Sequence, residues 1–543
     1  MNLHRTQPAH TPPAPRPTAA PAVLAGAARP GARSADLTGA AVDSRNRSTA
    51  PSVAAPGQAR SRSDVAARPK ADAPVDANRY PRRWAALAVL AVAQFMVVLD
   101  ASIVNIALPG MGTGLHVGAS ALTWVITAYV LTFGGLLMLG GRIADLRGRR
   151  ATFLTGLAGF AIASGAAALA TSAGMLIAAR AVEGSAAALM SPAALSLVTT
   201  LFTGSERAKA LGVWGAVAGT GGAAGVLLGG VLTGTFGWPS IFFVNLPVAA
   251  VVAAGALRFV PGGGRTGGRV DLPGAVSLTA GLASIVYGLS QGNDKGWAST
   301  TVLAALAAGA VLLATFVAIQ RVVAHPLVPL RIFRLRTVTS ANLVMATVGS
   351  ATVGLFFFLS LYMQQILHYS SLKAGVTQLP LAMSIVTAAS LAPKLAARIG
   401  IRTVLVTGLL LLAAGLGRLS TAPVAGTFAG AILGPALLVG TGLGLAFVAV
   451  NVVAAAKVPS ADAGLAGGLI NTAQQIGGAV GLAVLSAVAA GRTGAVPTAV
   501  AVNHGFQAAF TGAAAIAAGA ALLAAVFIPR VETPTEPTQA MAL

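Results

Sequence analysis

Apolar runs of about 20 residues recur through most of the chain from Trp84 onward, and each can cross a hydrocarbon core about 30 Å thick at 1.5 Å per residue. Fourteen such runs are read, at roughly 84–109, 119–140, 151–171, 174–202, 208–234, 240–260, 273–291, 300–321, 338–366, 375–397, 402–420, 426–455, 463–490 and 507–529. No water-facing surface could be built from what remains, because only 9% of the 543 residues are charged. A soluble domain carries about 25%. Gly and Ala are abundant, and small residues let membrane helices approach closely without a hydrophobic driving force. The expectation is an all-α polytopic membrane protein.

The formal charge of +22 raises the question of nucleic acid. Thirteen of the 36 Lys and Arg residues lie in residues 1–83, and most of the others sit in short loops. That placement belongs to membrane topology, so no nucleic-acid partner is expected. Residues 1–83, rich in Ala, Pro, Arg and Ser, read as a disordered basic tail able to touch anionic lipid, without the short apolar segment of a secretory signal. The chain has no Cys, which excludes disulfide and thiolate chemistry.

Loop charge tests the span count. Arg142, Arg147, Arg149 and Arg150 follow span 2, Arg207 and Lys209 follow span 4, and Arg258, Arg265 and Arg269 follow span 6. Arg321, Arg331, Arg334 and Arg336 follow span 8, Lys394, Arg398 and Arg402 surround the loop after span 10, and Lys457 and Arg530 follow spans 12 and 14. The opposite loops hold Lys295, Lys373, Arg492 and Arg418. The positive-inside rule then places both termini in the cytoplasm of a cell with a multi-pass plasma-membrane protein.

The same loops contain a repeat. Gly141-Arg-Ile-Ala-Asp-Leu-Arg-Gly-Arg-Arg150 aligns without gaps on Pro393-Lys-Leu-Ala-Ala-Arg-Ile-Gly-Ile-Arg402, and Gly221-Gly-Ala-Ala-Gly225 echoes Gly477-Gly-Ala-Val-Gly481. Both offsets equal eight spans. Two six-span halves, 84–260 and 338–530, with an inserted hairpin and connector at 261–337 and a tail at 531–543, account for them. Repeated halves around a midplane site are a transporter architecture. The segment His325–Arg336 mixes basic and apolar residues and is expected to lie along the membrane surface.

Ionisable groups inside a membrane are expensive and mark function by default. Asp100, Arg180 and Glu183 lie well inside spans, with both carboxylates at one depth and Arg180 one helical turn from Glu183. Burial favours the neutral carboxyl and a nearby guanidinium the charged one, so conformation or a cationic ligand could switch such a site. A static Arg–Glu pair tying span 4 to span 1 is the alternative. Asp145 lies among Arg residues, either as a weak surface cluster or as a clamp between helix ends. Span 5 carries Gly215, Gly219, Gly221, Gly225, Gly229 and Gly230. Its Gly-x-Gly lies within an apolar span rather than after a strand, so it reads as a smooth packing face and not a dinucleotide loop. Neutral polar residues such as Gln94, Asn105, Asn342, Gln364, Asn451, Asn471, Gln474 and Gln475 either line a cavity or join helices. No phosphate loop, metal-ligand cluster or nucleophile elbow occurs, so neither a cofactor nor an enzymatic activity is expected.

These residues resemble the major facilitator superfamily, and within it the fourteen-span drug:proton antiporters, over nearly all of residues 84–530. Gly141–Arg150, with Gly148, is similar to the signature between helices 2 and 3, which stabilises the outward-facing state, but has Leu146 where Arg is usual. Leu99–Pro109 is similar to the helix 1 motif, with Ser102 replacing Thr, and implies proton or cation handling by Asp100. Arg180 with Gly184 falls on the helix 4 motif and implies proton coupling at Arg180, with Glu183 where Gln is commoner. The span 5 glycines resemble the antiporter motif, with Gly222 and Val226 where Pro is frequent, and Phe242–Pro247 also fits. The resemblance implies a 6+2+6 major facilitator fold, monomeric, exporting small hydrophobic or cationic organic molecules against protons by alternating access. A dedicated exporter of one endogenous metabolite and a non-transporting sensor remain the alternatives.

Overall fold

Apolar spans that cannot expose backbone polar groups to lipid must be helical, and the regular structure throughout the described residues is helical. The computed structural model describes residues 81–262, 270–456, 458, 463–494 and 498–528. Fourteen helices or helix pairs in it are long and apolar enough to cross a membrane. The first six are α1 (Arg83–Leu115), α2 (Ala119–Arg147), α3 (Arg149–Ala168), α4 (Ala173–Leu201), α5 (Gly204–Phe236), and the broken pair α6 (Ser240–Phe243) and α7 (Asn245–Phe259). The hairpin α8 (Leu272–Lys295) and α9 (Thr300–Val322) follows. The last six are α10 (Arg336–Leu361) with a π-helical end at Tyr362–Ile366, the pair α11 (Ser371–Thr377) and α12 (Leu379–Ile399), α13 (Ile401–Leu419), α14 (Gly434–Ala455), α15 (Ala463–Thr493) and α16 (Ala499–Phe527).

Packing repeats between the two sets. In the first, α1 packs on α5, α2 and α3 on α4, and α1 and α3 on α7. In the second, α10 packs on α15, α12 and α13 on α14, and α10 and α13 on α16. Small features repeat as well. Gly148 (φ 99°) and Gly400 (φ 82°) each make the sharp turn between two helices in a conformation that a Cβ would strain. Two residues further on, Arg150 donates to the Leu257 carbonyl and Arg402 to the Ala525 carbonyl. Each of those carbonyls lies two residues before the end of its helix, where acceptors are otherwise orphaned. The glycine echo is equally structural: Gly225 abuts Ser102 on α1, and Gly481 abuts Ser350 on α10.

Three readings of helix ends need correction. Span 1 does not stop at Pro109 but continues to Leu115. A proline ring leaves the carbonyl four residues back without its helical donor, and that carbonyl, of Asn105, is taken by Ser360 of α10 instead. The segment expected as a loop after span 2 is helical through Arg147, since its residues form helix readily and only Gly148 interrupts. Span 6 breaks at Val244, with Pro247 in the first turn of α7.

The connector at 323–335 is not merely a surface strip. Arg331, Phe333 and Arg334 are exposed, but Leu327, Val328 and Ile332 pack with Leu139 of α2, Ala275 of α8, Val338 of α10, and Ala466 and Leu469 of α15. Asp271 caps α8 through the Gly274 amide (2.8 Å) and accepts from Gln320 Nε2 (2.7 Å), whose carbonyl takes the Val328 amide (3.0 Å). The base of the hairpin is thereby pinned beside both α2 and α15.

Candidate functional site

Asp100 reaches the midpoint of α1, and Arg180 and Glu183 the outer half of α4, all three at 0–1% exposure. Arg180 Nη1 donates to Asp100 Oδ2 (2.7 Å) and to Glu183 Oε2 (2.6 Å), so the sequence-derived trio is one hydrogen-bonded cluster. Its Nε donates to the Val125 carbonyl of α2 (3.4 Å), and the Tyr129 ring lies 4.2 Å from the guanidinium carbon. A cation on an aromatic face in a dry site is worth about 2 kcal/mol.

Three further groups complete the cluster; Phe242 and Asn245 lie in the motif read at Phe242–Pro247 without a role, and Ser164 was not singled out from sequence. Asn245 Nδ2 donates to Asp100 Oδ1 (3.1 Å) and to Ser164 Oγ (3.0 Å), and Ser164 Oγ donates to the Phe242 carbonyl (3.0 Å). That carbonyl belongs to the short α6, at the break made by the Asn245-Leu-Pro247 sequence. Both oxygens of Asp100 are therefore occupied. Glu183 Oε1 and the Tyr129 hydroxyl are buried without a partner among the described residues. Leaving such a group unpaired costs about 1–3 kcal/mol. With both acids ionised, one guanidinium faces two carboxylates and the cluster carries one surplus negative charge.

The span 5 glycines divide by face. A Cβ on Gly221 would lie 3.1 Å from Val98 Cβ, one on Gly225 2.8 Å from the Leu99 carbonyl, and one on Gly229 3.0 Å from the Ile103 carbonyl, so this row seats α5 against α1 beside Asp100. Gly230 turns instead to Ser371 and Leu372, across to the second half. Gly215 faces open space, and the side-chain position of Gly219 lies outside the described residues.

At the Gly141–Arg150 turn, Asp145 is half exposed and 3.9 Å from Arg149 Nε. Arg149 also donates to Thr200 Oγ1 of α4 (2.5 Å), and Arg150 to Leu257. These arginines tie α3 to its neighbours within the first half. Gly141 packs near Pro192 of α4.

The two halves are latched at the end opposite the basic turns. Ser360 Oγ donates to the Asn105 carbonyl freed by Pro109 (2.5 Å), and Gln364 Nε2 donates to the Ile106 carbonyl (3.0 Å) and to Ser360 Oγ (3.0 Å). Ser371 Oγ closes the chain on Gln364 Oε1 (3.3 Å). Along the side of the bundle α2 meets α15, with Thr123 and Ser486 hydroxyls 3.3 Å apart and Gly134 beside Gln475. At the basic end, Leu211, Val213, Gly215 and Ala216 stand exposed around α5.

The Major Facilitator Superfamily model matches residues 90–482. The puromycin resistance protein of Streptomyces alboniger is 41% identical over 461 residues, covering 82% of this chain and 90% of that protein. The cephamycin export protein of Amycolatopsis lactamdurans is 40% identical, covering 83% and 94%. Among solved structures, an auto-inhibited POT family peptide transporter superposes with a TM-score of 0.62 at 17% identity (84% and 99% covered). The inward-open xylose transporter of E. coli gives 0.55 at 15% (83% and 97%). These two show the shared fold. The chain belongs to the Major Facilitator Superfamily, and it is a multi-pass membrane transporter rather than an enzyme.

Proposed function

We propose that this transporter exports small organic molecules of antibiotic type in exchange for protons, with the basic end in the cytoplasm. The substrate class is supported by relatives named for puromycin resistance, cephamycin export and lincomycin resistance. The cephamycin relative also favours a narrower reading, in which the chain exports a single metabolite.

Proton coupling rests on one observation: a sealed cluster with one surplus negative charge and one carboxylate oxygen, Glu183 Oε1, without a donor. One proton on that oxygen neutralises the cluster without displacing any of its hydrogen bonds. Each oxygen of Asp100 already accepts a hydrogen bond, which makes it the anchor for Arg180 and Asn245, and Glu183 the exchangeable site. A neutral cluster can stay sealed while the halves rock, whereas the charged one gains from opening to water. One proton crossing 100 mV releases about 2.3 kcal/mol, enough for roughly a 50-fold substrate gradient.

Transport into everted membrane vesicles, which reports export, tests both parts with a panel of antibiotics and dyes. A pH gradient, acid inside, is expected to drive accumulation of several compounds in the vesicles, and Asp100→Asn to remove that drive while the protein still purifies folded. Export of one compound alone selects the narrower reading, and full pH-driven efflux by Asp100→Asn contradicts proton coupling at this cluster.

Alternating access requires the Ser360–Gln364 latch to part. Ser360→Ala with Gln364→Leu removes four hydrogen bonds across or within the latch, each worth about 1 kcal/mol. The expected result is a population shift toward the conformation open at that end. The chain has no native Cys, so paired spin labels on α1 and α10 report the shift directly as a longer distance. An unchanged distance distribution contradicts the latch.

A further inference from the structure

Three rows of contacts fix how α15 is turned. Gly468 meets Met138 and Gln475 meets Gly134, so one row faces α2. Gly477 and Gly481 press on Ala346 and Ser350, so a second faces α10. On the far side Ala466 and Leu469 pack with the connector, and the Ala487 carbonyl accepts from Asn293 of α8. Residues three, four and seven apart share a helix face, which leaves Gly467, Asn471 and Gln474 between the first two rows and opposite the third. This stripe faces the space between α2 and α10. Gly467 and Asn471 are exposed, Gln474 partly so, and a Cβ on Gly467 would meet nothing within 4 Å. One turn beyond Gln474 the space ends, because Gly478 lies against both Val130 of α2 and Val353 of α10.

The two amides on this stripe have hydrogen-bonding capacity to spare. Asn471 Nδ2 donates to the Gly467 carbonyl one turn back (3.2 Å), while its Oδ1 and the whole Gln474 amide bond to no other described residue. No carboxylate competes for a ligand here, since α10 and α15 contain no acidic residue and Asp100 and Glu183 are sealed at 0% exposure. We propose that Asn471 and Gln474 form a substrate subsite that takes an uncharged amide or hydroxyl group rather than a cation. A side-chain amide offers both donors and an acceptor, so its complement is a group that also does both. Bonds at the closed end of the space orient the molecule and leave its apolar part to the walls. The assignment rests on the export reading above and names the chemistry of its substrate, without any role for the proton.

Equilibrium binding to the purified full chain at a single pH tests it with two radiolabelled probes. Chloramphenicol is a neutral amide with hydroxyl groups, and tetraphenylphosphonium is a cation that forms no hydrogen bonds. Asn471→Leu and Gln474→Leu are each expected to weaken chloramphenicol binding by about tenfold and to leave tetraphenylphosphonium binding within about twofold. Gln474→Glu places a carboxylate at the subsite and is expected to reverse the preference, strengthening the cation by about tenfold. Unchanged chloramphenicol binding in both leucine variants overturns the proposal. So does an equal loss for the two probes, which marks a merely structural role, and so does an unsubstituted protein that does not bind chloramphenicol. Vesicle transport of chloramphenicol by the unsubstituted protein separates the two readings. Binding with these changes but no transport removes the export reading, while export without these changes removes the subsite alone.

Discussion

Arg180→Ala is expected to abolish transport and to destabilise the protein more than any other single change at the site. Asp100 and Glu183 are both fully buried, and Arg180 is the cation that bonds to each of them. Removing one partner of a buried ion pair costs about 3–5 kcal/mol, because the remaining charge stays desolvated. Here two carboxylates are abandoned together, along with the hydrogen bond to the Val125 carbonyl and the stacking on Tyr129. Arg180→Lys restores the charge but not the planar fork that spans two acids and a carbonyl. It should recover part of the stability and little of the transport. Thermal unfolding in detergent and vesicle efflux check both statements. Wild-type stability in Arg180→Ala would show that the acids are not held as described.

The second large effect is expected at Gly225. A side chain there meets Ser102 Oγ and the Leu99 carbonyl, and the latter is backbone that cannot rotate away. Gly225→Val should therefore force α1 and α5 apart. Overpacking commonly costs about 1–3 kcal/mol, but the functional loss should be larger than the stability loss suggests. Leu99 and Ser102 flank Asp100, so displacing them moves the carboxylate off Arg180 and Asn245. Gly215→Ala is the matched control ten residues earlier on the same helix. It faces open space, and replacing a helical glycine by alanine gains roughly 0.5–1 kcal/mol. Efflux is expected to vanish in the first variant and persist in the second. Equal activity in the two would remove the close α1–α5 contact from the account.

How much of this could be read beforehand depended on the kind of signal. Spans were legible because an apolar run of bilayer length has few alternatives, and the repeat because Gly148 and Gly400, like Arg150 and Arg402, do the same local work in both halves. Asp100, Arg180 and Glu183 stood out because charge is rare inside a membrane. Ser164 and Tyr129 did not, and Asn245 was read only as part of the Phe242–Pro247 motif with no role, since a neutral polar residue in a span serves as readily for helix packing as for a site. The Asn-Leu-Pro order at 245–247 was the available hint, as a break in a span must send its free backbone groups somewhere. Pro109 misled for a related reason. Taken alone it ends a helix, and only the hydroxyl of Ser360, 251 residues away in sequence, lets the helix run on past it. The seat of the α8–α9 hairpin beside α2 and α15 was likewise invisible, because nothing in an apolar span states which neighbour it will meet.

Under the proposed exchange, a proton carried at Glu183 moves opposite to the exported substrate. Proteoliposomes holding a pH-sensitive dye and no imposed pH gradient test it most directly. A substrate gradient is applied, and lumenal pH and substrate flux are recorded together. Proton movement opposite to substrate is expected in the unsubstituted protein, with Glu183→Gln still exchanging substrate while the lumenal pH stays flat. Substrate flux through the unsubstituted protein without any change in lumenal pH would contradict it.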